Sequence, residues 1–169
     1  FEDGKQIDYL YDANGIKLQA AYRNSATVQP YKTIDYCGNI IYENGVLSKI
    51  LTEEGYITYN GSTPVYHYYL KDHLGNNRVV LHENGTVEQV NHYYPFGGLF
   101  ADGATQGNTS DQRYRYNGKE LDREHGLDLY DYEARQMDPA IGRFTSMDPL
   151  AEKYYSISPY AYCNNNPMR

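Results

Sequence analysis

An all-β chain of successive antiparallel hairpins is predicted from three observations. Tyrosine supplies 21 of the 169 residues and tryptophan none. Asn-Gly pairs recur at 14-15, 44-45, 60-61, 84-85 and 117-118, and Asn-Gly is the pair that tight primed hairpin turns favour because it tolerates positive φ. Between these turns lie short runs rich in Tyr and β-branched residues, spaced irregularly at about 8–12 residues, which read as strands.

Taken in order, residues 7 to 59 hold three hairpin-like units that turn at Asp12-Ala13-Asn14-Gly15, Glu43-Asn44-Gly45 and Glu53-Glu54-Gly55. A second block has a strand ending at Leu70, a turn through Lys71–Asn76, a strand from Asn77 to Leu81, a turn at Glu83-Asn84-Gly85 and a strand from Thr86 to Tyr94, closed by Pro95-Phe96-Gly97-Gly98. From Leu99 to Gln112 the composition is Gly, Ala, Asp, Ser and Thr without periodicity, which predicts an exposed loop. A third block starts at Tyr114-Arg115-Tyr116, turns through Asn117–Glu120 and returns through Leu127–Tyr132 with period-two alternation. Asp138-Pro139 and Asp148-Pro149 open turns, and short helical turns are expected at Leu150–Tyr154 and Tyr160–Cys163. The division expected is 1–64, looser hairpin repeats, and 65–169, a distinct C-terminal block within one continuous structural unit.

Composition narrows the function. With few Leu, Ile, Val and Phe, apolar burial falls largely to Tyr rings, whose hydroxyls must reach a partner or water. The net charge of -7 and a pI near 5.1 argue against a nucleic-acid ligand. No run approaches the roughly 18 to 20 apolar residues that would cross a bilayer, so no membrane insertion is expected. The chain starts inside a repeat-like pattern and reads as a piece of a longer protein. Cys37 and Cys163 lie in dissimilar contexts and are read as free thiols. His67, His73, His82, His92 and His125 show no i, i+2 or i, i+4 pairing, so neither a metal nor a cofactor is expected. Asn60-Gly61-Ser62 and Asn108-Thr109-Ser110 fit or nearly fit glycosylation patterns and are read as turns.

Several motifs carry a resemblance. Tyr9-Leu10-Tyr11-Asp12-Ala13-Asn14-Gly15 resembles the tyrosine-aspartate (YD) repeat of rearrangement-hotspot (Rhs) proteins. More specific are Tyr68–Arg78, His92–Gly97, Tyr116–Asp122, Gly126-Leu127, Leu129–Tyr132, Ala134-Arg135, Asp138-Pro139, Gly142-Arg143-Phe144, Asp148-Pro149-Leu150-Ala151, Ser158–Tyr162 and Asn165-Asn166-Pro167. Together these resemble the Rhs-associated core domain in its Bacteroidota form, from about residue 65 onward. The resemblance implies a strip of a β-hairpin shell that encloses and helps deliver a C-terminal toxin or effector, in a protein that is secreted or held at the cell surface. Its implied partners are upstream YD repeats and the downstream effector of the same polypeptide, with self-association through exposed strand edges.

The resemblance also implies self-cleavage by core aspartates. Asp138 and Asp148 are the candidate catalytic carboxylates, since two carboxylates sharing a proton can activate water, and Arg143 is the candidate to stabilise developing negative charge. A straight strand from Gly142 to Met147 would set Asp148 about 17 Å from Asp138, so a dyad requires the chain to curl. The remaining alternative is a surface adhesion module that stacks glycans on exposed Tyr rings.

Overall fold

A computed structural model describes residues 1–100 and 112–168. The loop expected between Leu99 and Gln112, with Asn108-Thr109-Ser110, lies almost wholly outside the described residues. Among the described residues, thirteen antiparallel strands form two sheets. The first takes β1 (Gln6–Tyr11), β2 (Lys17–Arg23), β3 (Lys32–Cys37), β4 (Ile40–Glu43), β5 (Val46–Thr52), β6 (Gly55–Asn60), β7 (Thr63–Lys71), β8 (Asn77–His82) and β9 (Val87–Val90) in sequence order. The second takes β10 (Glu120–Asp122), β11 (Leu129–Asp131), β12 (Gln136–Asp138) and β13 (Arg143–Phe144), also in order. The all-β hairpin architecture predicted from the turns is the architecture observed.

The turns come in two kinds. Asn44-Gly45 and Asn117-Gly118 have both residues at positive φ, as a primed turn requires. At Asn14-Gly15 and Asn84-Gly85 only the glycine is positive, which corrects the expectation that every Asn-Gly pair is a primed turn. There the loop has three residues and the glycine closes it. Asp12 N–H donates to Ile16 O at 2.9 Å and Gly15 N–H to Asp12 O at 3.1 Å, while Asp12 Oδ1 accepts from the N–H groups of Asn14 and Ile16, each at 2.8 Å. Asp72 repeats this pattern, its Oδ1 accepting from Leu74 and Asn76 N–H at 3.0 Å each. At Asn60-Gly61 the turn proper is Gly61-Ser62, because Asn60 pairs with Thr63 as the last rung of β6–β7.

The fold divides into two compact units, 1–69 with 81–86, and 70–80 with 87–169. In the first unit, period-two registers place Tyr9, Ala20, Tyr22, Ile34, Ile41, Tyr56 and His67 on one sheet face. Most of its buried side chains lie there. Lysine ammonium groups cover the rings: Lys17 lies 5.6 Å from the Tyr9 centroid and 4.9 Å from that of Tyr36, Lys32 is 5.6 Å from Tyr22, and Lys49 is 5.5 Å from Tyr56. The opposite face carries the Asp8–Arg23 ion pair at 2.8 Å and the Gln19–Asp35 hydrogen bond at 2.6 Å. Hydrogen bonding from Arg23 holds the Asp8 carboxyl below the usual carboxylate range. Farther along that face Tyr59, Tyr66 and Tyr68 stay exposed.

The second unit is built around Tyr116, Leu121, Tyr130, Met137, Phe144 and Tyr162, with Tyr93, Phe96, Leu99 and Tyr132 packed against them. Its strands are short and depart from expectation in four places. β9 ends at Val90 instead of reaching Tyr94, since Gly97 and Gly98 let the chain turn back and pair Tyr93 with Leu99. The third block first returns at Glu120, where Leu121 and its neighbours are buried, and Leu129–Asp131 is a second return. β13 has two residues, so the straight run from Gly142 to Met147 does not exist; after it Thr145 N–H bonds back to Gln136 O and Asp148 N–H to Pro159 O. The helical turns shrink to single 3-10 turns, Ala151–Lys153 and Cys163–Asn165, the second starting only after Tyr162, which stays extended with its ring buried.

Gly55 shows how close the β6–β7 backbones come. A Cβ there would stand 1.8 Å from His67 O, whereas at Gly38, with φ +66, it would meet open space. Gly55→Ala is therefore expected to cost about 3 kcal/mol through forced backbone displacement, and Gly38→Ala about 1 kcal/mol from conformation alone. Urea unfolding of both variants checks the order.

Candidate functional site

Asp138 ends β12 and faces Arg143 across the β12–β13 register. Its Oδ1 accepts from Ala140 N–H at 2.8 Å and its carbonyl from Gly142 N–H at 2.9 Å, so the side chain caps the turn that Pro139 begins. Asp148 is held in the same way, Oδ1 accepting from Leu150 N–H at 2.8 Å and its carbonyl from Ala151 N–H at 3.0 Å. Its second oxygen is 3.1 Å from Arg135 Nη2. Arg135 lies 3.7 Å from the Phe144 ring centroid and donates to Pro159 O at 3.5 Å.

The cation at Asp148 is thus Arg135. Arg143 is exposed, and its backbone bridges to Ala161. Among the described residues no hydrogen bond joins Asp138 to Asp148. Sequence reading singled out Ala134-Arg135 only as a motif and gave Arg135 no site role, because only folding carries it to Asp148. A cavity of about 350 Å³, mostly apolar, is lined by Arg135, Phe144, Asp148, Tyr154, Ile157 and Pro159, among others. The arrangement offers a paired carboxylate at an apolar concavity wide enough for a few side chains.

Beside it lies a network of phenols. Tyr132 and Tyr162 hydroxyls are 2.8 Å apart, and Asn117 Nδ2 donates to both, at 3.2 and 2.6 Å. Tyr116 donates to Pro95 O and Tyr130 to Gly97 O, each at 2.9 Å, and Tyr93 donates to Asn77 O at 2.7 Å. Burial pushes the Tyr132 phenol up to about 12, and raises Tyr93, Tyr116, Tyr130 and Tyr162 as well.

Buried carboxamides, which composition gave no reason to place inside, complete the unit. Asn77 Nδ2 donates to Tyr114 O at 2.7 Å, Asn91 Nδ2 to Asn77 O at 2.9 Å, and Gln89 Nε2 to Asn91 Oδ1 at 2.9 Å. Asn76 Oδ1 accepts from Asn117 N–H at 2.8 Å. Asp72, which burial alone would raise, is held below the usual carboxylate range by Asn76 and by the Asn76 and Leu74 N–H groups. Among the described residues no three His, Cys, Asp or Glu side chains cluster as metal ligands, and Cys37 and Cys163 are free and exposed.

The raised phenols fix a pH response. A group whose folded pKa exceeds its unfolded value of about 10 stabilises the fold fully below that pH and loses the contribution as pH rises toward the folded value, because the unfolded chain releases its proton first. The urea midpoint is expected to fall between about pH 9.5 and 12, and Tyr132→Phe to flatten that fall. A midpoint independent of pH across the window would show that these phenols are not protected.

No family profile matches the chain. It is 41% identical over 105 residues to salivary gland surface protein 1 of Aedes aegypti, covering 61% of this chain and 3% of that protein. It is 27% identical over 178 residues to the tRNA3(Ser)-specific nuclease WapA of Bacillus spizizenii, covering 99% and 7%. With toxin subunit YenC1 of Yersinia entomophaga it shares 32% over 96 residues, covering 56% and 9%. The chain therefore spans less than a tenth of these relatives. Among solved structures, TcdB2-TccC3-TEV superposes with a TM-score of 0.71 at 21% identity over 96% of this chain and 8% of that one. The Photorhabdus luminescens Tc holotoxin pore gives 0.68 at 22% identity, covering 96% and 8%. The all-β hairpin fold of this chain is the fold of a short stretch within those Tc-toxin chains.

Proposed function

We propose that this chain is a strip of wall in an Rhs/YD-repeat shell, acting structurally to enclose and help deliver a C-terminal effector of the same polypeptide. The observation that carries the reading is the sequential ladder of hairpins, in a chain that superposes over 96% of its length on 8% of a much longer one. A sheet that adds each new strand beside the last can be extended indefinitely, and its end strand β1 presents an edge suited to a preceding YD hairpin. In this reading the protein works outside the cell or at its surface. The test uses the native long protein: its segment downstream of residue 169 is expected to resist added protease while the same segment expressed alone is digested. Equal digestion would overturn enclosure.

Self-cleavage is the second reading, favoured by the Asp148–Arg135 pair at the wall of an apolar cavity. Asp148 would take the carboxylate role, with Asp138 and Arg143 assisting at the neighbouring turn. In the native long protein, Asp148→Asn should leave the chain intact where the parent is cut. The assay belongs near neutral pH, since Asp-Pro bonds break unaided in acid. Cutting that persists in the Asp138→Asn, Asp148→Asn double variant removes both aspartates from the mechanism.

A further inference from the structure

The structure assigns Asn60 as a site of spontaneous backbone-mediated deamidation, singled out among five Asn-Gly pairs that share the same following residue. In this reaction the amide nitrogen of the following glycine bonds to the Asn Cγ, and the carboxamide nitrogen leaves as ammonia. The resulting succinimide is opened by one water at either carbonyl, giving aspartate or isoaspartate. Asn-Gly is the most susceptible dipeptide because glycine has no side chain to hinder the attack. What then decides the rate in a folded chain is whether the two reacting groups are held elsewhere.

Four of the pairs are held. Asn117 donates to the hydroxyls of Tyr162 and Tyr132, and Gly118 N–H is engaged with Arg115 O at 3.2 Å. Asn44 Oδ1 accepts from Thr33 N–H at 2.9 Å. Asn84 Oδ1 accepts from Thr86 N–H at 2.9 Å, and Gly85 N–H is bonded to His82 O at 2.8 Å. At Asn14 the carboxamide makes no hydrogen bond among the described residues, but the nucleophile, Gly15 N–H, is bonded to Asp12 O at 3.1 Å. At Asn60 both reacting groups are available. Among the described residues neither its carboxamide nor the Gly61 N–H makes a hydrogen bond, and both residues are exposed.

Ring closure requires Asn60 to leave its extended conformation. That breaks only the terminal Asn60–Thr63 rung of β6–β7, the end from which a hairpin frays first. Closure at Asn117 would instead break bonds that tie buried phenols together. Conversion at Asn60 adds a negative charge, and its isoaspartate form inserts an extra backbone carbon where the β6–β7 register is set.

The test is peptide mapping by mass spectrometry after prolonged incubation in mildly alkaline buffer, on the folded protein and on the same protein unfolded in urea. Each site's folded-to-unfolded rate ratio removes the effect of local sequence. Asn60 is expected within about tenfold of its unfolded rate, and Asn44 and Asn117 slower by about a hundredfold. Fragmentation should find isoaspartate as well as aspartate at position 60, and Asn60→Gln should remove the fastest product while leaving the other four rates unchanged. The assignment is overturned if Asn60 is protected as strongly as Asn117, or if aspartate alone forms there, since direct hydrolysis would not pass through the Gly61 nitrogen.

Discussion

A tyrosine ring can be buried in quantity only if its hydroxyl keeps a hydrogen-bond partner, and the second unit is arranged around that constraint. Burying such a ring contributes about 1.5–3 kcal/mol, and an unpartnered buried hydroxyl would return about 1–3 kcal/mol of it. Each phenol of the core therefore reaches a fixed acceptor or another phenol: Tyr93 to Asn77 O, Tyr116 to Pro95 O, Tyr130 to Gly97 O, and Tyr132 with Tyr162 and Asn117. Two of those acceptors lie in the 95–97 turn, so the hydroxyls that allow the rings inside also hold a loop in place. Gly97 completes the fit, since a Cβ there would stand 2.6 Å from the Tyr116 ring.

The first unit meets the same composition differently. Its buried rings, Tyr22 and Tyr56, lie on one sheet face, where the lysine stems and ammonium groups of Lys17, Lys32 and Lys49 cover that face's rings. Its turns are stiffened by side chains acting on the backbone. Asp12 caps its loop through two N–H groups, and His82 stands where an aspartate would, accepting from Asn84 N–H through Nδ1 at 3.2 Å. The aspartate of the tyrosine-aspartate pattern is thus explained without any catalytic role: it closes a three-residue loop so that the next strand pairs in register.

Hairpin order and most turn positions were legible in the sequence because both depend on local chemistry, the period-two runs and the Gly, Asn and Asp that end them. What was not legible depends on groups distant along the chain. Asn77, Gln89 and Asn91 look like surface residues until folding supplies Tyr114 O, Asn91 Oδ1 and Asn77 O, respectively, as their acceptors. Arg135 became part of the candidate site only when Asp148 was folded beside it, and the expected helix at Tyr160–Cys163 lost to the burial of Tyr162. The aspartates themselves were found, but their bonds to Ala140 and Leu150 N–H are the bonds of turn caps.

The central claim is that this ladder is one stretch of a longer continuous wall. A cryo-electron microscopy map of the native long protein tests it most directly. The account predicts that the outer edge of β1 is hydrogen-bonded to a strand of the same polypeptide, with the hairpin order of β1 to β9 preserved beside it. A map in which β1 faces solvent, or pairs only with another molecule, would contradict it.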